Sequence, residues 1–174
     1  VSPKLDELID TENKILTSVT GEIRTDYERG IYTVDAPKCQ GAAGFLAQRP
    51  EIVLGAVTLR SRNDYGSLVL VPLDDRPLSE SKKVLVQAGT VARPAGWIAR
   101  ARSVEAGGEL HDGFQIMRKG GDPVLVENTD ARIEIANSSL RKATALDING
   151  SPMDMPVVVE RRDGWLHVTL PPNA

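Results

Sequence analysis

From Ile15 onward, apolar and polar positions alternate in short runs bounded by Gly, Pro, Asn and Asp. The runs cover residues 15–19, 22–25, 30–34, 42–46, 52–59, 67–71, 83–91, 114–117, 124–126, 132–135, 143–148, 157–161 and 165–170. No amphipathic helical stretch separates them, which excludes a βαβ arrangement. The pattern predicts an all-β fold of packed antiparallel sheets, a β-sandwich of jelly-roll or Ig-like type. Ahead of these runs the spacing is helical. Ser2 can cap, Pro3 suits a first helical position, Asp6 and Glu7 sit near the positive end of the dipole, and Leu5, Leu8 and Ile9 form a narrow apolar stripe. The chain therefore divides into a short N-terminal helix or linker over 1–14 and a β-sandwich domain over 15–174.

The C-terminal hairpin can be read to the residue. Asp163-Gly164 is a favoured two-residue turn. Taking it as such pairs Arg162 with Trp165, Arg161 with Leu166, Glu160 with His167, Val159 with Val168 and Val157 with Leu170. One face then carries Val157, Val159, Leu166, Val168 and Leu170, with Arg161 at its turn end. The other carries Glu160, Arg162, Trp165, His167 and Thr169, with Val158 as its aliphatic member. Asn149-Gly150 supplies a second such turn, so residues 143–170 are expected to form a three-stranded meander. The least regular stretches are 72–82 and 93–113, and loops held by a rigid scaffold are where a functional surface is expected.

Composition narrows the classes. At 174 residues the chain has the size of one ordinary domain and can build a core without staples. A net charge of −3, with no basic run longer than two residues, argues against a general nucleic-acid binder. Cys39 is the single cysteine, so no intrachain disulfide or multi-Cys zinc site can form, and it is expected to be a small buried apolar residue. No apolar run reaches the roughly 20 residues of a membrane helix. Val1, with neither Met nor a signal-peptide core behind it, and the Pro171-Pro172-Asn173-Ala174 end are expected to be cut ends of a longer polypeptide.

Candidate chemistry is sparse. His111 and His167 are the two histidines, and no Gly-x-Ser-x-Gly elbow accompanies them. His167 alternates onto the wetter hairpin face opposite Glu160, as expected of a cross-strand surface pair. Sugar hydrolysis needs two carboxylates. Asp74 and Asp75 are adjacent in a turn, and Asp26 and Glu28 flank Tyr27 in another; turn formation accounts for both pairs equally well. There is no Asp-x-Asp-x-Asp calcium run, and Gly107-Gly108 and Gly120-Gly121 read as turns. No catalytic residue, metal or cofactor is expected in this chain. Flat rings stack on pyranose faces, which makes Trp97 and Trp165 the candidate carbohydrate contacts, with Asp74 and Asp75 as polar partners. Trp165 is either a stacking platform or covered by Arg162 through a cation–π contact. Trp97 is either a loop platform or a plug.

Several phrases together resemble a known domain. They are Thr17-Ser18-Val19-Thr20-Gly21-Glu22-Ile23, Gly30 through Gly41, Ser67 through Leu78 followed by Ser81 through Val86, Gly121 through Glu127, and Ala145 through Gly150. In order and spacing they resemble the β-sandwich domain that follows the barrel in some bacterial glycoside hydrolases and related large secreted proteins. Val19, Arg24-Thr25 and Arg93-Pro94-Ala95 depart from that pattern. The resemblance implies a non-catalytic accessory domain that packs on or flanks a catalytic domain of the same polypeptide, with polysaccharide as a further partner. No nucleic-acid or membrane partner is implied, and the location is extracellular or periplasmic. Two alternatives stay open: an autonomous carbohydrate-binding module and a small stand-alone glycoside hydrolase.

Overall fold

The structure is a computed structural model and describes residues 5–172. In chain order it forms α1 (Leu5–Leu8), β1 (Ile9–Asp10), β2 (Ile15–Thr17), β3 (Ile23–Asp26), β4 (Ile31–Ala36), β5 (Cys39–Gly44), a 3-10 turn (Leu46–Gln48), β6 (Ile52–Val53), β7 (Val57–Ser61), β8 (Gly66–Pro72) and β9 (Val84–Thr90). There follow β10 (Ala92–Ala95), β11 (Ile98–Ala106), β12 (Glu109–Arg118), β13 (Gly121–Val126), β14 (Ala131–Ile135), β15 (Val158–Arg162) and β16 (Trp165–Thr169). The protein is all-β and every strand pairing is antiparallel.

Among the described residues of 1–14, the expected helix is not formed beyond one turn. A single turn at Leu5–Leu8 leads straight into β1, whose Ile9 pairs with Leu16 of β2. The hairpin between them wins because its turn is well closed. The Asp10 carboxylate accepts from the Asn13 backbone N–H at 2.9 Å and from Asn13 Nδ2 at 2.8 Å, and Lys14 takes φ 59°. Ser2 and Pro3, read as cap and first turn, lie outside the described residues.

The chain divides into two compact units, one of residues 1–90 with 128–174 and one of residues 91–127. In the first, a seven-stranded sheet runs in the order β1-β2-β3-β4-β5-β8-β9 and a five-stranded sheet in the order β15-β16-β14-β7-β6. Inward residues of both meet in one core. Ile31, Ala42, Leu68 and Leu70 come from the larger sheet, and Ile52, Val57, Leu59, Ile133 and Ile135 from the smaller. Backbone groups at its margins are satisfied by side chains. Gln40 Oε1 accepts from the buried Ala56 N–H at 2.9 Å, and Asp35 Oδ1 accepts from Gly55 N–H at 2.9 Å. Asn63 closes the neck from which residues 91–127 depart, donating to Asn128 O at 2.8 Å and accepting from Asp130 N–H at 2.9 Å.

The predicted C-terminal hairpin forms in the expected register, Glu160 opposite His167 and Arg162 opposite Trp165. Asp163 and Gly164 both have positive φ, at 50° and 85°, as a tight turn of this hand requires. Leu166 and Val168 are buried and Arg161 caps carbonyls at the turn end, donating to Asn137 O at 2.8 Å. The three-stranded meander over 143–170 is not formed. Residues 143–148 contribute one isolated bridge, Leu146 with Pro152.

The second unit consists of two ribbons, β10–β13 and β11–β12. The stretch 93–113, expected to be irregular, is mostly the long ribbon β11–β12, in register from Ala99 opposite Ile116 to Ala106 opposite Glu109. Gly107 and Gly108 form its turn with φ 63° and 84°. No residue of 91–127 is buried.

Candidate functional site

The outward face of the five-stranded sheet is concave and carries rows of charged and polar residues. Alternation along β7, β14, β15 and β16 sends Leu59, Ile133, Leu166 and Val168 into the core and Arg60, Arg132, Glu134, His167 and Thr169 outward. Register then lines them up across the sheet. Thr169 stands between Val158 and Arg132, and Arg132 beside Arg60; in the next row His167 stands between Glu160 and Glu134. These residues line a shallow cavity of about 490 Å³.

An ion-pair network organises the floor. Glu134 is shared, accepting from the Arg60 guanidinium while its Oε1 lies 3.3 Å from His167 Nδ1. Arg60 also donates to Glu51. Burial by itself would lower the Arg60 pKa, but the two carboxylates outweigh it and hold the guanidinium above its ordinary value. Arg162 lies 3.6 Å from Glu160 at the cavity wall. Planar forks of donors and acceptors on a fixed floor suit paired hydroxyls or a carboxylate on a ligand. Glu134 is thus shared between the Arg60 guanidinium and the His167 ring, which suits it to positioning both side chains on the floor.

Trp165 lies on this same outward face, two residues along β16 from His167, half-buried. It stands at the turn end of the charged rows, opposite Arg162. The anticipated cover by Arg162 does not occur among the described residues; their cation–π contact is Arg93 over Trp97, at 5.8 Å from the ring centroid. Trp97 belongs to the other unit. Its backbone N–H closes a turn onto Pro94 O at 3.1 Å, and its ring is half-buried with Nε1 shielded from water and without a hydrogen-bond partner.

Asp74 is a loop-former. Its Oδ2 accepts from Lys82 N–H at 3.0 Å and its Oδ1 from Arg76 N–H at 3.4 Å, and the Lys82 amide foremost holds its pKa below the usual carboxylate value. Asp75 is fully exposed, 3.7 Å from Lys38 Nζ. The two carboxylates therefore play different parts, one structural and one solvated. Asp26, the other turn acid, accepts from the Arg29 backbone N–H and guanidinium, each at 2.9 Å. Cys39 is half-buried. Among the described residues no group of three or more His, Cys, Asp or Glu could hold a metal ion.

Sequence reading singled out His167 and Glu160 as a surface pair but missed Arg60, Arg132 and Glu134. They come from strands far apart in the chain, so only the register brings them together. It also passed over Phe45 and Tyr65, both about half-exposed, whose rings meet edge-on at 5.2 Å beside Gly30. No family profile, curated protein or solved structure matches this chain.

Proposed function

We propose that this chain is a non-catalytic accessory β-sandwich, of jelly-roll or Ig-like type, within a larger glycoside-hydrolase-type protein outside the cytoplasm. It docks on the catalytic domain of the same polypeptide through the outer face of the seven-stranded sheet, and turns the concave polar face of the five-stranded sheet toward glycan.

The observation that carries this reading is the sequence of β8, apolar on both faces from Leu68 to Val71. A sheet with one wet face alternates apolar and polar residues, whereas strands covered on both sides read as continuous apolar runs. In β8, Leu68 and Leu70 are buried in the core while Val69 and Val71 point the other way, only half-covered. Leu85 of β9 lies opposite Val71, and Val34 and Ile23 extend the same outer face across β4 and β3. Small residues leave the centre of that face low. A Cβ on Gly41 would meet Val69 Cγ2 at 3.1 Å, and one on Gly89 would meet Ser67 Oγ at 2.8 Å. An apolar outer face of this kind fits a covering domain.

Two measurements test the reading. On a panel of neutral and acidic polysaccharides the chain should release no reducing ends; hydrolysis that disappears in Asp74→Asn or Asp75→Asn would overturn it. Val69→Lys should leave the isolated chain folded, yet in a polypeptide that also carries the barrel it should split one cooperative unfolding transition into two. An unchanged single transition would refute the docking face. The autonomous binding-module reading is favoured by Trp165 beside the cavity. It requires oligosaccharide to change tryptophan fluorescence in the isolated chain, with the change lost in Trp165→Ala.

A further inference from the structure

We infer that residues 91–127 form a dimerisation arm, in which β12 pairs edge to edge with β12 of a second copy of this chain about a two-fold axis at Gly113. A two-stranded ribbon is marginal in water without a sheet or core to lean on. This unit has no buried residue, while Ile116, Phe114 and Leu110 are 50%, 76% and 75% exposed. Register places these three on one face of β11–β12, opposite Ala99, Ala101 and Glu105. The ribbon is a sheet of two strands only, so the outer edge of β12 presents an unpaired row of backbone donors and acceptors over ten residues. Such an edge is a template for a further strand.

The charge pattern selects the occupant. Arg100, Arg102 and Arg118 lie in the root half of β11–β12, and Glu105, Glu109 and Asp112 in the half next to the turn. A second copy laid antiparallel puts each acidic half beside an arginine half, and a parallel copy would stack like on like. A two-fold axis normal to the sheet must pass through a residue that faces itself. Gly113 fills that place without a side chain. The register that follows sets Leu110 against Ile116 of the second copy and His111 against Gln115. It also brings Glu109 beside Arg118, twice by symmetry. The same register sets Asp112 against Phe114 of the second copy, so one face of the resulting four-stranded sheet carries Ile116, Phe114 and Leu110 from both copies with Asp112 among them.

Sedimentation equilibrium of the whole chain tests this, and a dimer is expected. A monomer persisting to about 100 μM, well above a micromolar constant, would overturn it. Arg118→Glu and Glu109→Arg should each weaken the dimer about tenfold or more by setting like charges together. An equimolar mixture of the two variants should restore association as a heterodimer. If mixing restores nothing, the antiparallel register is wrong. Phe114→Asp should also give a monomer while the first unit keeps its unfolding midpoint. Hydrogen exchange should show alternate β12 amides slowing on association. Protection confined to the seven-stranded sheet would assign the contact to that face and refute the arm.

Discussion

Replacing Asn137 by Ala should cost this protein a large part of its stability. The side chain is 1% exposed and makes four hydrogen bonds. Its Nδ2 donates to Leu78 O at 2.6 Å and Ser81 O at 2.8 Å, and its Oδ1 accepts from Ser139 N–H at 2.7 Å and Leu140 N–H at 3.3 Å. Leu78 and Ser81 are themselves fully buried, so their carbonyls have little water to turn to. Each bond contributes about 1 kcal/mol net, and stranded buried acceptors raise the cost further, giving about 3–5 kcal/mol. That compares with a total of roughly 5–15 kcal/mol for a domain. The melting temperature should fall by about 10 °C for a chain of this length. Urea unfolding followed by far-UV circular dichroism measures the free energy. Asn137→Asp, an acceptor facing two carbonyls, should be at least as damaged at neutral pH. A loss below about 1 kcal/mol for the alanine variant, the value of an exposed polar contact, would refute the reasoning.

Two further predictions concern turns. Gly164→Val should cost about 1–2 kcal/mol in urea unfolding, all of it from the backbone, because φ is 85° and no atom lies within 4 Å of the position a Cβ would take. An unchanged midpoint would contradict the strained-turn account. Burial opposes the charge on Asp26, but the Arg29 backbone N–H and guanidinium outweigh it and lower its pKa below the ordinary carboxylate value. A lowered folded pKa gives stability that is present above the unfolded value and lost as pH falls through the folded one. The wild type should therefore lose this contribution only below about pH 4, and Asp26→Asn should show a shallower acid limb in stability against pH. Identical acid limbs would count against it.

The hairpin 158–169 was legible because two signals agree. Asp163-Gly164 fixes the turn, and a period of two assigns each residue a face, so one slip would expose Leu166 and Val168. The neighbouring Asn149-Gly150 carries the same turn signal and builds no hairpin. Asp147 Oδ1 accepts from Asn149 N–H and Ser151 N–H, both at 2.8 Å, so the turn is closed locally. Pro152 and Pro156 then deprive the return segment of the donors a ladder needs. Of the ribbon 98–118 the run 114–117 was read as a strand, and the rest was hidden for the opposite reason. Ala, Arg and Gly have little strand propensity, and with both faces wet there is no oily alternation to detect. The N-terminal stripe Leu5, Leu8 and Ile9 fits a helix as well as a strand entry, and the Asp10–Asn13 turn decides between them.

The concave face raises a different difficulty, because its polar residues are individually ordinary. Arg60, Glu134 and His167 become one network only through the pairing of β7 with β14 and β14 with β16, and nothing local in the chain announces that pairing. The two outer faces of this unit are nonetheless opposite in character, and that contrast bears on the role. The five-stranded sheet turns charged rows outward; the seven-stranded sheet turns out Ile23, Val34, Val69, Val71 and Leu85, with Tyr32 beside them. These side chains are already mostly covered, so burying what each still exposes gives at most about 1 kcal/mol at 25 cal/mol per Å². Several together approach the lower estimates of the cost of holding two bodies in place, and a covalent link between domains reduces that cost. A face of this size is therefore suited to a tethered neighbour more than to a free one. That is the physical reason for preferring a docked accessory domain over an independent binding module.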